Sequence, residues 1–244
     1  MKTNVIQCSQ LLSWLLVLIS CQKADEQLTV KAREMLKRQE YSNVIALLAP
    51  RRKSLQNAEV LNMLGYAYME THQIDSAIAC FNQAIKIDNQ NYKYFYNRGN
   101  AFWQIGMPEE ALKDFNRALE LNANVYQIYL NRGATLAALG RHQEAIADFS
   151  RAAEMNNNDR NIFYNRAQSY IALKDLDKAL TDLQKCITIS PDYARAYYML
   201  GLILYAKLPP QSKNNPQACE YLQKAIDLGM PEARDLFYEK CGQY

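Results

Sequence analysis

The chain has 244 residues, of which 49 % are apolar and 22 % are charged, and its formal net charge is +3. This composition permits a substantial buried core and argues against a disordered or collagen-like chain. Basic and acidic residues are interleaved and nearly balanced, which argues against nucleic-acid binding. Seventeen tyrosines beside only eight glycines and seven prolines favour helices packed through aromatic side chains, so we expect an all-α protein.

The N-terminal residues have the pattern of a secretory signal. Lys2 precedes an apolar run from Leu11 to Ile19, and the sequence turns polar directly after Cys21. The run has about half of the roughly 20 residues that a membrane-spanning helix needs, so a permanent transmembrane anchor is the weaker interpretation. We therefore expect an export signal followed by the start of the mature chain.

The end of this signal resembles the lipobox of bacterial lipoproteins, because Leu18-Ile19-Ser20 stands immediately before Cys21. The resemblance implies that residues 1–20 are removed, that Cys21 carries the lipids and that residues 21–24 form a short tether. Several acyl chains on one cysteine would attach the protein stably to a membrane. We thus expect an outer-membrane lipoprotein of the bacterial cell envelope, facing either the periplasm or the cell surface. An ordinary secretory signal that ends near a cysteine is the alternative.

The central part of the chain repeats itself. The triplet Asn97-Arg98-Gly99 returns as Asn131-Arg132-Gly133 and as Asn165-Arg166-Ala167, each time after 34 residues. A period of this length indicates an array of small repeats, each of which buries its apolar face only against its neighbours. Such an array offers an extended surface for a partner and no closed pocket for chemistry.

Each repeat contains two predicted helices with one apolar stripe each. In the central repeat, Phe95, Gly99 and Phe102 lie on one side of the first helix. Ala111 and Phe115 begin the stripe of the second helix, after a turn at Gly106-Met107-Pro108 in which proline starts the helix. Glycine and alanine at these positions indicate that the two helices approach closely.

This pattern resembles the tetratricopeptide repeat. The resemblance covers four good copies and two degenerate ones, and it implies a right-handed superhelical solenoid of antiparallel helix pairs. We expect six repeats at residues 25–57, 58–91, 92–125, 126–159, 160–193 and 194–231, which we number 1 to 6, and a capping helix at residues 232–244. Repeat 6 has an enlarged turn between Leu208 and Pro216. Because insertions in repeat arrays map to exposed loops, we expect an exposed loop there.

In this family the first helix of each repeat lines a concave groove, so the resemblance implies a peptide-binding face there. Asn97, Asn131 and Asn165 would form a ladder of amides suited to the backbone of an extended peptide, with aromatic side chains beside it as anchors. The alternative is that these asparagines only tolerate an exposed face, or form hydrogen bonds within their own repeat. The candidate residues are Lys93, Tyr96, Asn97, Asn100, Trp103, Gln104, Gln127, Asn131, Asn161, Tyr164, Asn165, Gln168 and Tyr198.

The arginines of the triplet favour a different role. We expect Arg98, Arg132 and Arg166 to pair with acidic residues of neighbouring helices. The family's carboxylate clamp for acidic peptide tails does not carry over, because no lysine stands at the required position early in each repeat.

Neither the histidines nor the cysteines have metal-ligand spacing. His72 and His142 each lie in a predicted turn, and the mature chain has no C-x-x-C pair, so we expect no metal. A disulfide between Cys219 and Cys241 could join repeat 6 to the capping helix, although the sequence does not fix their separation. No phosphate-binding or catalytic motif is present, so we expect no cofactor and no enzymatic activity.

The sequence therefore predicts a lipid-anchored interaction scaffold. We expect it to bind a protein or extended peptide in the groove, within a bacterial envelope assembly such as a secretion, pilus or cell-wall complex. One alternative is a structural lipoprotein that oligomerises without a peptide ligand. An enzyme is the weakest of the three interpretations.

Overall fold

A computed structural model describes residues 26–209 and 215–242. Within these ranges the chain forms thirteen α-helices and one 3-10 helix, with no β-strand. This confirms the predicted all-α class. The predicted signal and Cys21 lie outside the described residues. The helices form two compact units that divide after Ala123, here called the N-terminal half and the C-terminal half.

The N-terminal half begins with a short helix pair and continues with two longer pairs. Pro50 lies near the start of the 3-10 helix, where its missing N–H prevents the preceding α-helix from continuing. A turn of three residues connects the two helices of each longer pair. The elements are α1 at residues 26–37, α2 at Tyr41–Leu48, the 3-10 helix at Ala49–Ser54, α3 at Ala58–Glu70, α4 at Ile74–Ile87, α5 at Tyr92–Gln104 and α6 at Pro108–Leu121.

The C-terminal half contains three helix pairs and a final helix. The pairs are α7 with α8, α9 with α10, and α11 with α12, and α13 packs against α12. Residues 210–214, in the enlarged turn of repeat 6, lie outside the described ranges. The helices are α7 at Tyr126–Ala138, α8 at His142–Met155, α9 at Arg160–Ala172, α10 at Leu176–Ile189, α11 at Ala194–Ala206, α12 at Pro216–Asp227 and α13 at Ala233–Cys241.

The turn within a repeat closes through a residue in the left-handed conformation. Gly140 has φ +76° and Lys174 has φ +62° at equivalent positions 34 residues apart. After Gly140, the N–H of Arg141 donates to the carbonyl of Leu136 at 2.9 Å, which satisfies one of the last carbonyls of α7. Only glycine adopts this conformation without steric cost, so the turn at Lys174 is strained.

Close approach of the two helices in a repeat explains why small and aromatic residues recur at the same spacing along the chain. A Cβ atom added at Gly99 would lie 2.9 Å from Cε1 of Phe115, and one at Gly133 would lie 2.8 Å from Cε1 of Phe149. Both rings belong to fully buried phenylalanines. The prediction that glycine permits close helix packing is confirmed.

The first helix of a repeat is buried on two sides, and here the expectation of one apolar stripe was wrong. Tyr94 and Ala101 of α5 are buried, although both lie outside the predicted stripe. Tyr94 belongs to the apolar cluster of α3 and α4, together with Ala58, Leu61 and Cys80. The second buried side thus packs against the preceding repeat.

The last two helices are joined covalently. Cys219 in α12 and Cys241 in α13 form a disulfide, with their Cα atoms 5.9 Å apart. The hydroxyl oxygen of Tyr205 lies 2.9 Å from the sulfur of Cys219 and 3.1 Å from that of Cys241. The bond fixes α13 on α12.

Substitutions in the two equivalent turns should change the free energy of unfolding in opposite directions. Gly140→Ala should lower the free energy of unfolding by about 1 kcal/mol, because alanine is strained at positive φ while no neighbouring atom would contact its Cβ. Lys174→Gly should raise it by up to about 1 kcal/mol, because it relieves the same strain. Urea unfolding of both variants measures the difference, and a loss of stability in Lys174→Gly would contradict this account.

Candidate functional site

The amide of Asn97 connects two successive repeats. The helices α3 and α5, which are the first helices of repeats 2 and 3, pack against each other. Nδ2 of Asn97 donates a hydrogen bond to Oδ1 of Asn62 at 2.9 Å, and both side chains are half-buried. The bond crosses to the preceding repeat, so the alternative of bonding within one repeat was wrong for this residue. It uses one of the two donors of Asn97.

The remaining candidates of the N-terminal half differ in exposure. Lys93 and Gln104 are exposed, and Asn100 is half-buried. The ring of Tyr96 packs against Phe115, with centroids 6.1 Å apart, so this aromatic side chain supports the core as well as the surface. Of the predicted aromatic anchors in α5, Trp103 alone is strongly exposed, at 41 %.

Two further apolar side chains accompany Trp103. Ile105 and Met107, in the turn that follows α5, are exposed to about the same degree. Sequence reasoning missed them, because it treated the turn only as a connection. The sequence did contain a signal, because repeat 3 has the apolar Met107 in its turn where repeat 4 has the charged Arg141.

The candidates of the C-terminal half lie on α7, α9 and α11. The helices α7 and α9 pack against each other and carry Asn131 and Asn165, both half-buried. The ring of Tyr164 packs edge-on against Tyr193, with centroids 5.1 Å apart, and burial raises the pKa of Tyr164. Tyr198 is half-buried, whereas three polar candidates are exposed: Gln127, Asn161 and Gln168. The peptide-binding role of all these residues stays a prediction.

The arginines of the triplet are structural, as predicted. In repeat 3, Nε and Nη2 of Arg98 each donate to one carboxylate oxygen of Asp114, both at 2.7 Å. In repeat 4, Arg132 grips Asp148 in the same way, at 2.7 Å for both bonds. The same two-bond geometry joins Arg166 to Asp182 in repeat 5. Each aspartate is at most 5 % exposed, so each carboxylate is shielded from solvent.

Arg98 and Arg166 also reach the preceding repeat. Nη1 of Arg98 donates to Oδ1 of Asn82 in α4 at 2.6 Å. Nη1 of Arg166 donates to Oγ of Ser150 in α8 at 3.0 Å. One guanidinium group therefore joins both helices of its own repeat to the second helix of the repeat before it.

Repeat 2 lacks this charge pair altogether. Thirty-four residues before Arg98 and Asp114 stand Leu64 and Cys80, and both are fully buried. Burial raises the pKa of the Asp114 carboxyl, an effect that Arg98 opposes. A buried aspartate without its arginine would be costly, and the chain accordingly replaces both partners together.

The described residues contain no group of three or more potential ligands that could hold a metal ion. His72 is exposed in its turn, as expected. His142 instead begins α8, where it is half-buried and its Nδ1 has no hydrogen-bond partner among the described atoms. No helix in the described ranges has the length and apolar character needed to cross a membrane.

Models of the tetratricopeptide repeat match much of the sequence. They match residues 92–125, 126–159 and 195–228, and a model described as TPR repeat matches residues 65–106 and 167–207. By sequence, no curated protein matches the chain.

Several solved structures have the same fold. A TPR repeat-containing protein from Cytophaga hutchinsonii, solved as its C-terminal part, has a TM-score of 0.70 at 18 % identity and covers 86 % of this chain and 87 % of its own. MamA has a TM-score of 0.64 at 23 % identity, with 72 % and 94 % covered. YrrB, described as a TPR protein with an unusual peptide-binding site, has a TM-score of 0.61 at 23 % identity, with 78 % and 92 % covered. These identities are low, so the likeness shows the fold.

Substituting one member of the Arg98–Asp114 pair should lower the free energy of unfolding, and substituting both should restore most of it. Arg98→Leu alone should lower the free energy of unfolding by about 3 kcal/mol, because it leaves Asp114 buried without a cation. Adding Asp114→Cys reproduces the residues of repeat 2 and should restore most of that loss. Urea unfolding of the single and double variants measures the effect. If the double variant is no more stable than Arg98→Leu, the pairing account is wrong.

Proposed function

Because the chain belongs to the tetratricopeptide-repeat family, we propose that it binds a protein or extended peptide along the first helices of its repeats. The observation that carries the proposal is the exposed face of α5. Trp103, 41 % exposed, and the exposed Gln104 lie at the end of a helix whose buried side is already filled by core residues. Neither side chain belongs to the buried core.

The chemistry of this face suits a peptide. Asparagine and glutamine offer both donors and acceptors, which match the alternating N–H and C=O groups of an extended backbone. Tryptophan supplies a large apolar surface of the kind that dominates binding energy at interfaces. The peptide-binding site named for YrrB supports the proposal as an analogy of fold.

We further propose that the protein is attached to a bacterial envelope membrane by lipids on Cys21, and that its partner belongs to an envelope assembly. The sequence around Cys21 supports this attachment. The disulfide between Cys219 and Cys241 is consistent with export, because such bonds persist in oxidising compartments. A binding scaffold on a membrane would hold its partner near that surface.

The binding face can be tested by photo-crosslinking in intact cells. A benzophenone side chain at Gln104 should give an adduct with a partner protein, whereas one at Lys113, exposed on α6, should give none. Trp103→Ala should reduce the Gln104 adduct about tenfold, since an aromatic side chain that a partner buries contributes about 1.4 kcal/mol or more to binding. Tyr238→Ala removes another exposed aromatic side chain, on α13, and serves as the matched control.

Two outcomes would count against this face. Adducts from Lys113 only would place the partner on the second helices. A single adduct with the mass of two copies of this chain would favour the structural, oligomerising alternative. Equal melting temperatures of Trp103→Ala and the parent chain ensure that a lost adduct reflects binding.

The lipid anchor makes a separate prediction. Cells fed an alkyne-bearing fatty acid should label the parent chain, and Cys21→Ser should abolish the label. Cys21→Ser should also be lost from the membrane fraction, because the proposed attachment is through the lipids on Cys21. Labelling that persists in Cys21→Ser would show that the attachment is elsewhere.

A further inference from the structure

A second surface of the N-terminal half has its own chemistry. A cleft of about 810 Å³ lies where α1 passes the start of α3 and the end of α4. Its size is within the range of ligand-binding pockets. It shares no residue with the exposed end of α5 described above.

The cleft exposes two large apolar side chains. Val30 of α1 is 51 % exposed and Ile87 at the end of α4 is 42 % exposed, and both line the cleft. The residues equivalent to Ile87 in the next three repeats are all half-buried: Leu121, Met155 and Ile189. Exposed apolar residues that converge on one concave surface mark a binding site more often than scattered ones do.

The rim of the same cleft is acidic. Glu26, Glu59 and Asp88 line it, and Arg33 is the one cation among its lining residues. Arg33 pairs with Glu59 at 2.6 Å, but both side chains are about half exposed. A pair so exposed is weak, so an incoming cation can compete for Glu59.

The negative charges of Glu59 and Asp88 do not recur in the next three repeats. Where repeat 2 has Glu59, the next three repeats have Lys93, Gln127 and Asn161. Where repeat 2 has Asp88, they have Asn122, Asn156 and Ser190. Asp88 also caps the C-terminus of α4, where the helix dipole disfavours a negative charge.

A buried tyrosine, Tyr94, also lines the cleft. Burial raises the pKa of Tyr94, and Asp88 and Glu59 raise it further.

We propose that this cleft binds a peptide segment in which a lysine or arginine stands next to an apolar residue. The apolar side chain packs between Val30 and Ile87, and the cation lies between Glu59 and Asp88. A small polyamine would leave the apolar surface uncovered, and a purely apolar ligand would bury the carboxylates without a partner. The inference extends the proposed function, because it states the chemistry of a partner segment at a separate place.

The test uses short labelled peptides and the full-length chain in detergent. The probe is a fluorescein-labelled, amidated hexapeptide of the sequence Gly-Ser-Lys-Leu-Ser-Gly, and binding is followed by fluorescence anisotropy. Two matched probes replace the lysine by glutamate or the leucine by serine. The lysine–leucine probe should bind more tightly than either, and its affinity should fall as salt concentration rises.

Charge variants locate the site. Glu59→Gln with Asp88→Asn should weaken binding of the lysine–leucine probe about tenfold. Glu120→Gln with Asp192→Asn removes the same total charge from exposed positions elsewhere and should change binding less than about twofold. Val30→Ser should abolish the preference for leucine over serine. Equal weakening by the two charge variants, or equal binding of the glutamate probe, would overturn the proposal.

The outcome is separable from the proposed function. Trp103→Ala should leave binding of the hexapeptide unchanged. If hexapeptide binding depends on Trp103 and not on Glu59 and Asp88, the cleft proposal is wrong while the α5 face is supported. If the cleft variants act as expected but the Gln104 adduct is insensitive to Trp103→Ala, the cleft stands and the α5 face does not.

Discussion

In repeats 2 to 5, each helix pair depends on contacts between residues sixteen positions apart, one on the first helix and one on the second. Gly99 lies against Phe115, and the neighbouring Arg98 grips Asp114, so two adjacent positions fix the same approach. The turn of three residues between the helices sets this spacing. Because a Cβ at Gly99 would lie 2.9 Å from the phenyl ring, even one methyl group must be compensated on the other helix. Repeat 5 shows such compensation, with Ala167 in place of glycine and Leu183 in place of phenylalanine, both fully buried.

The ion pair between Arg98 and Asp114 is likewise replaced at both positions together. A buried carboxylate is tolerable only with its guanidinium partner, so Arg98 and Asp114 are replaced in repeat 2 by the apolar Leu64 and Cys80. The pair also has a function that the apolar version lacks. Arg98 and its equivalent Arg166 each extend a third bond to the preceding repeat. Charge is therefore retained where one side chain can join three helices.

The sequence predicted what recurs within a repeat, and it failed where neighbouring repeats meet. The period, the helix pairs, the small residues at Gly99 and Gly133 and the structural arginines were all predictable from spacing alone. The aspartate partners were missed, although Asp114 and Asp148 recur with the same period. The burial of Tyr94 and the bond from Asn97 to Asn62 could not be predicted, because the period does not state how one repeat is rotated against the next. The sequence could not fix the disulfide for the same reason, since its formation depends on how α13 packs on α12.

The repeats also differ at positions that these helix contacts do not use. Glu59 and Asp88 in one repeat, and Trp103 and Met107 in another, have unlike residues 34 positions away, yet the helix pairs around them are built in the same way. Contacts sixteen residues apart thus constrain the buried sides and leave exposed positions on the helices and turns open to variation. An array of this kind can place an apolar, an amide-bearing and an acidic surface on successive helices without changing its core. Specificity for a partner then resides in the order of these surfaces along the chain, and not in any single repeat.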